Sequence, residues 1–214
     1  MAKYIMFDLD GTIIDSGPGI TKSVQYALKK RGIAVETLDS LHCYIGPPLR
    51  QSFMEYAGLS KADAEKAIAD YREYFAPVGI YENVLYPGIV NSIEQLKSAG
   101  KTIIVATSKP AVYAKRILEY HGISNLFAFV SGSELDGKRS VKSELIQYAL
   151  EEMQLADKSE IVMVGDRKYD IIGANEIGIA SVGVLYGYGS RSELEKAGAT
   201  WIADSTGQIL EILL

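Results

Sequence analysis

The sequence predicts an α/β fold, a doubly wound parallel sheet interrupted just after its first strand by an all-helical insertion. Three observations carry this. Continuous apolar runs of four or five residues end in small or polar residues, the signature of strands buried on both faces. From about residue 84 onward these runs alternate with helical periods closed by glycine, which implies right-handed crossovers in one parallel sheet covered on both sides. Between the first run and residue 84 there are only helical patterns.

Taken in order, the first strand is Tyr4-Ile5-Met6-Phe7. Three amphipathic patterns follow: Ile20, Val24, Ala27 and Leu28, then Leu49, Phe53 and Ala57, then Ala64, Ile68, Tyr71 and Phe75. The first closes on Lys29-Lys30-Arg31-Gly32, where the helix dipole favours cations and the left-handed exit favours glycine. The third opens on Ser60 with Asp63 three residues later, a pattern resembling a capping box. About 68 residues is too long for a loop. Residues 16–83 are therefore expected to form a helical cap, and residues 1–15 with 84–214 the α/β core, re-entered near Tyr86-Pro87-Gly88. In the core, helices are expected at Ile89, Ile93 and Leu96, at Ala114, Ile117 and Leu118, and at Leu145, Ala149, Leu150 and Met153. The later strands are expected at Thr102-Ile103-Ile104-Val105-Ala106, Phe127-Ala128-Phe129-Val130, Ile161-Val162-Met163-Val164 and Ala180-Ser181-Val182-Gly183-Val184.

Composition bounds the function. With 214 residues and 48% hydrophobic content, the chain can bury a sizeable core. A formal charge of -5 spread along the chain repels polyphosphate backbones and argues against nucleic acid as a partner. The single cysteine, Cys43, cannot form an intramolecular disulfide. The N-terminus lacks a signal-peptide pattern, and no apolar run approaches the roughly 20 residues of a membrane span. The expectation is a cytoplasmic protein, monomer or homodimer, acting on a small molecule and not on a membrane.

The chemistry concentrates at strand ends. Asp8 and Asp10, in Phe7-Asp8-Leu9-Asp10-Gly11-Thr12, follow the first strand, and side chains two apart in extended chain share a face. At about 4 Å their repulsion is on the order of 4 kcal/mol at an effective dielectric of 20, so the pair needs a cation, a proton or open solvent. A hard divalent ion such as Mg2+ suits an all-oxygen set without histidine or thiol. A second acidic strand end, Gly165-Asp166-Arg167-Lys168-Tyr169-Asp170, offers Asp166 and, four residues on, Asp170, whose separate role as a helix cap is about equally plausible on its own. Thr107-Ser108-Lys109-Pro110 is expected to open a helix, with a hydroxyl and backbone N–H groups suited to an anion and Pro110 in the first turn. Lys142 falls at a helix start, where a cation opposes the dipole and calls for a functional explanation. His42 and His121 are assigned structural roles.

Together, Asp8-Leu9-Asp10-Gly11-Thr12, Thr107, Lys142 and Gly165-Asp166 followed by Asp170 resemble the four ordered motifs of the haloacid dehalogenase-like hydrolases. The match runs along essentially the whole chain. Tyr44-Ile45-Gly46-Pro47-Pro48-Leu49, Ala106-Thr107-Ser108-Lys109-Pro110 and the Gly183 to Ser190 segment look most like the phosphoglycolate phosphatase-like group and its 5′-nucleotidase members. The resemblance implies a Rossmann-like core with a helical cap and hydrolysis of a small phosphomonoester, phosphoglycolate or a nucleoside 5′-monophosphate. By it Asp8 is the nucleophile that becomes an aspartyl phosphate, and Asp10 protonates the leaving alkoxide and then activates water. It further implies Mg2+ held by Asp8, the Asp10 carbonyl and Asp166 with support from Asp170, and phosphate held by Thr107, Ser108 and Lys142. Arg50, with Lys22 and the Tyr44 to Pro48 loop, is the cap candidate for the leaving group. The alternatives are a non-enzymatic phospho-acceptor of the receiver type and, within the same superfamily, a sugar phosphomutase.

Overall fold

In the computed structural model, which describes residues 2–214, the core sheet starts with β1 (Tyr4–Phe7), whose Ile5, Met6 and Phe7 are fully buried. Two-residue strands β2 (Ile14–Asp15) and β3 (Val84–Leu85) pair with each other. The remaining strands are β4 (Thr102–Pro110), β5 (Phe129–Ser133), β6 (Ile161–Gly165), β7 (Ala180–Val184) and β8 (Trp201–Ala203). The main sheet has the order β5-β4-β1-β6-β7-β8, with every neighbour parallel. Its order reverses at β1: β4 and β5 extend to one side, and β6, β7 and β8 to the other. Ligands of open parallel sheets bind beyond the carboxyl ends of the strands at such a reversal.

The helices are α1 (Gly17–Lys29), α2 (Leu49–Ala57), α3 (Lys61–Phe75), α4 (Ile89–Ser98), α5 (Ala111–Tyr120), α6 (Lys142–Glu152), α7 (Lys168–Ile177), α8 (Arg191–Lys196) and α9 (Thr206–Leu213). Ile146, Ala149 and Leu150 of α6 and Ala174 of α7 pack on Met6, Ile104 and Met163 of the sheet, all of them buried. Each large apolar side chain so buried contributes about 2 kcal/mol of transfer free energy, enough to hold both helices on one face. α4 and α9 pack against each other, and Ser92 Oγ donates to the Thr206 carbonyl at 2.9 Å.

The chain divides into two compact units, Met1–Ile14 with Leu85–Leu214, and Asp15–Val84. In the second, α1, α2 and α3 bury Val24, Ala27, Phe53, Ala64, Tyr71 and Phe75, positions of the three amphipathic patterns. Ser60 caps α3 by accepting from Asp63 N–H at 3.1 Å. Lys30, just past the end of α1, ion-pairs with Asp70 of α3 at 2.7 Å, and Arg31 pairs with the same carboxylate.

Several elements differ from expectation. β5 runs to Ser133 because Ser131 and Ser133 bury their hydroxyls on the Leu145 and Ser108 carbonyls at 2.7 and 2.8 Å, so polar residues sit in a strand whose apolar run stops earlier. β4 does not stop at Ala106: it continues to Pro110, with a register shift against β5 between Thr107 and Pro110. The segment expected to open a helix is thus extended chain, and Pro110 (φ -52°, ψ 131°) precedes α5 instead of lying in its first turn. β8 and the helices α8 and α9 are too short or too polar to show the periodic signal.

The pair of cations on Asp70 outweighs the effect of its burial and holds its carboxyl below the usual range. A lowered native value stabilises above the unfolded value and is lost as pH falls through the native one. Asp70→Asn is expected to cost about 1 kcal/mol at pH 7 in urea unfolding, with the difference from wild type shrinking as the pH drops below about 4.

Candidate active site

Three neighbouring strands converge on one point. Asp8 follows β1, Thr107 lies near the carboxyl end of β4, and Asp166 follows β6, the two strands that flank β1. Asp8, Thr107, Asp166 and Asp170 are all at most 4% exposed. Lys142, the first residue of α6, is equally buried, and its ammonium reaches Asp8 Oδ1 at 2.8 Å, Asp170 Oδ1 at 2.8 Å and the Ala106 carbonyl at 2.9 Å. The helix-start cation is therefore explained by two carboxylates that outweigh the unfavourable dipole. Burial alone would lower the Lys142 pKa, but Asp170 and Asp8 together hold it above its ordinary value.

Asp8, Asp166 and Asp170 each offer an oxygen within 4.8 Å of the others. Three carboxylates against one ammonium leave two negative charges in a buried cluster. The effect is visible on Asp8 and Asp166: burial, reinforced by Asp170 and opposed by Lys142, pushes Asp8 up to about 6. Asp166 is driven well above the usual carboxylate range by burial first and then by Asp170 and Asp8. Asp166 Oδ2 accepts from Tyr188 N–H at 2.8 Å, whereas its buried Oδ1 has no hydrogen-bond partner. Asp170, at the third position of α7, accepts from Arg167 N–H at 3.0 Å through Oδ2, so it caps the helix and joins the cluster at once. An orphaned buried oxygen, two surplus negative charges and an all-oxygen donor set fit a hard divalent cation.

The Asp10 carboxylate is not among the three whose oxygens gather within 4.8 Å. Lys109 makes an ion pair with Asp10 Oδ1 at 3.0 Å, both side chains being less than a tenth exposed. The repulsion foreseen between Asp8 and Asp10 is thus met by one lysine for each acid. The extended end of β4 explains the placement: Thr107 and Lys109, two apart, are buried, and Ser108 between them is not. Thr107 Oγ1 accepts from Lys109 N–H at 3.2 Å. The Ser108 hydroxyl, expected on the phosphate, instead donates to the Ser140 carbonyl at 3.1 Å. Arg50 lies in the second compact unit and pairs with Glu65, while Lys22 pairs with Glu82 at 2.5 Å. His42 is 3.9 Å from Asp39, and His121 ends α5 against the Tyr120 ring.

Two features were missed in the sequence. One is Lys109, which stands there only as part of an expected helix start. The other is what the loop after β7 holds, since the sequence shows there only an aromatic loop following a strand. Its Tyr186 hydroxyl donates to the Thr12 carbonyl at 2.9 Å, and Tyr188 holds Asp166. Side chains at Gly187 or Gly189 would place a Cβ 2.3 Å from the Gly11 carbonyl oxygen or 1.9 Å from that of Asp166. The Tyr186-Gly187-Tyr188-Gly189 alternation is thus a sequence signal for close backbone approach.

The haloacid dehalogenase-like hydrolase family model matches residues 5–184. The chain belongs to this family. A 5′-nucleotidase from Pseudomonas aeruginosa is 46% identical over 190 residues, covering 89% of this chain and 86% of that one. A Mycobacterium tuberculosis protein named tyrosine-protein kinase PtkA is 37% identical over 92% of this chain and 67% of its own length. A phosphoglycolate phosphatase from Vibrio parahaemolyticus is 31% identical over 99% and 96%. A crystal structure of a predicted phosphatase from Clostridium acetobutylicum superposes with a TM-score of 0.97 at 45% identity, covering 100% of this chain and 98% of that one. Membership in a hydrolase family replaces the receiver-type alternative. Among the described residues no helix is long and apolar enough to cross a membrane.

Gly11 has a φ of 85°, and a Cβ there would sit 2.1 Å from Asp166 Oδ2. Gly11→Ala is expected to destabilise the protein by about 1–3 kcal/mol, measured by thermal or denaturant unfolding, because backbone strain and overpacking act on the same atoms.

Proposed function

We propose that this hydrolase is a magnesium-dependent phosphatase that cleaves a small phosphomonoester, phosphoglycolate or a nucleoside 5′-monophosphate, through an aspartyl phosphate on Asp8. The observation that carries the reading is the buried cluster of Asp8, Asp166 and Asp170 around Lys142, two charges short of neutrality, beyond the ends of β1 and β6. The names of the relatives at 46% and 31% identity support the substrate class.

Asp8, Asp166 and Asp170 would hold the cation, with the Asp10 carbonyl as the resemblance implies. When bound, Mg2+ supplies the charge compensation that lets a carboxylate approach a dianionic phosphate. Lys142 holds Asp8 Oδ1, which orients the other oxygen for attack. As the Asp8 oxygen bonds to phosphorus, the bond from phosphorus to the ester oxygen breaks, and Asp10 gives that oxygen its proton. In the second half Asp10 takes a proton from water as the water oxygen attacks phosphorus, releasing inorganic phosphate and restoring Asp8. Thr107 and Lys142 bind the non-bridging oxygens. The proposed setting is the cytoplasm, with a small phosphorylated metabolite as partner, and with Arg50 as the proposed contact of the cap with the leaving group.

Asp8→Asn is expected to abolish phosphate release, and wild-type-like turnover by a pure Asp8→Asn preparation would refute the nucleophile. Asp10→Asn is expected to lose at least ten times more kcat on an alkyl phosphate than on p-nitrophenyl phosphate, whose phenolate leaves without a proton. Ranking phosphoglycolate, nucleoside monophosphates and sugar phosphates by kcat/KM tests the substrate, and isomerisation of a sugar phosphate without phosphate release would mark a mutase.

The cation is tested without activity. Mg2+ is expected to raise the melting temperature of the wild type, since a ligand of the folded state stabilises it by mass action. Asp166→Asn removes a buried surplus charge while keeping an acceptor for Tyr188 N–H. It is expected to be at least as stable as wild type in Mg2+-free buffer and to gain no shift from Mg2+. An undiminished Mg2+ shift in Asp166→Asn would contradict the cation site.

A further inference from the structure

Lys109 has no part in the chemistry assigned above, yet it is a buried cation set against one of the acids that chemistry needs. Its side chain is 6% exposed and that of Asp10 is 9% exposed, with 3.0 Å between Nζ and Oδ1. It reaches there by a specific backbone course. β4 continues past Ala106 with a register shift against β5, so that Thr107 and Lys109 both point inward while Ser108 is tied to the Ser140 carbonyl. A helix starting at Thr107 would have broken this alternation.

The consequence is a separation of the four acids. Asp8, Asp166 and Asp170 bring oxygens within 4.8 Å of one another, and the Asp10 carboxylate is not in that group. A carboxylate two residues from Asp8 and at the same strand end would be drawn toward any cation the other three hold. Lys109 supplies a competing cation on the other side. We infer that Lys109 is a positioning residue that holds the Asp10 carboxylate away from the three-carboxylate cluster, so that it acts on protons and not as a further metal ligand. This rests on the phosphatase reading above, in which Asp10 transfers the proton.

The test is a double-mutant cycle on p-nitrophenyl phosphate and an alkyl phosphate, using Lys109→Met, which replaces the buried cation by an apolar chain of similar length, together with Asp10→Asn. If Lys109 acts through Asp10, Lys109→Met lowers kcat at least ten-fold on the alkyl phosphate with KM changed less than three-fold. In the Asp10→Asn background the same substitution then costs less than two-fold. An equal loss in both backgrounds, or a rise in KM alone, would overturn the inference and make Lys109 a direct substrate ligand or a purely structural residue. If circular dichroism shows that Lys109→Met does not fold, Lys109→Gln takes its place in the same cycle. Asp8→Asn run alongside separates the two failures: wild-type-like turnover by Asp8→Asn sinks the aspartyl-phosphate mechanism on which the inference rests, whereas an inactive Asp8→Asn with an additive cycle sinks the role of Lys109 alone.

Discussion

The structure of the site depends on one buried ammonium. Lys142 donates to Asp8 and to the Ala106 carbonyl and ion-pairs with Asp170, all inside the protein. Those partners come from the end of β1, from α7 and from β4, so a single side chain ties three segments distant in sequence. Burying such a charge costs several kcal/mol, and only near-complete pairing recovers it. The packing accommodates this: Gly173 of α7 would bring a Cβ within 2.7 Å of the Lys142 Cβ, so the helices meet there without a side chain between them.

The same arrangement leaves the acids deliberately undercompensated. A structural ion-pair network would neutralise its members, as Lys30 and Arg31 do with Asp70 and Glu73 on the cap unit. Around Lys142 the count stops two charges short, and one Asp166 oxygen has no partner at all. Perturbed acids in a buried cluster at the reversal point of a parallel sheet are the combination that distinguishes a chemical site from a stabilising one.

Much of this was legible in the sequence, because continuous apolar runs and glycine-closed helical periods encode a doubly wound sheet directly. Asp8, Asp10, Thr107, Lys142, Asp166 and Asp170 could be singled out from strand ends and from a cation placed against a helix dipole. What escaped notice has a common cause. Ser131 and Ser133 are strand residues whose polarity is satisfied by carbonyls across the chain, which no local pattern reveals. The continuation of β4 through Ser108 and Pro110 depends on pairing with β5, and it ties Ser108 to the Ser140 carbonyl while turning Lys109 inward to Asp10. The Tyr186 to Gly189 loop makes its contacts to Thr12 and Asp166 across long stretches of sequence.

The central position of β1 has a consequence for biosynthesis. The strand carrying the acid that lies nearest the N-terminus finds one neighbour in β4, which is translated about a hundred residues later, and its other neighbour in β6 later still. A nascent chain halted before β6 therefore carries Asp8 without the Asp166 that would complete its surroundings. A product terminated before β6 lacks Asp166 and Asp170, two of the three acids of the cluster.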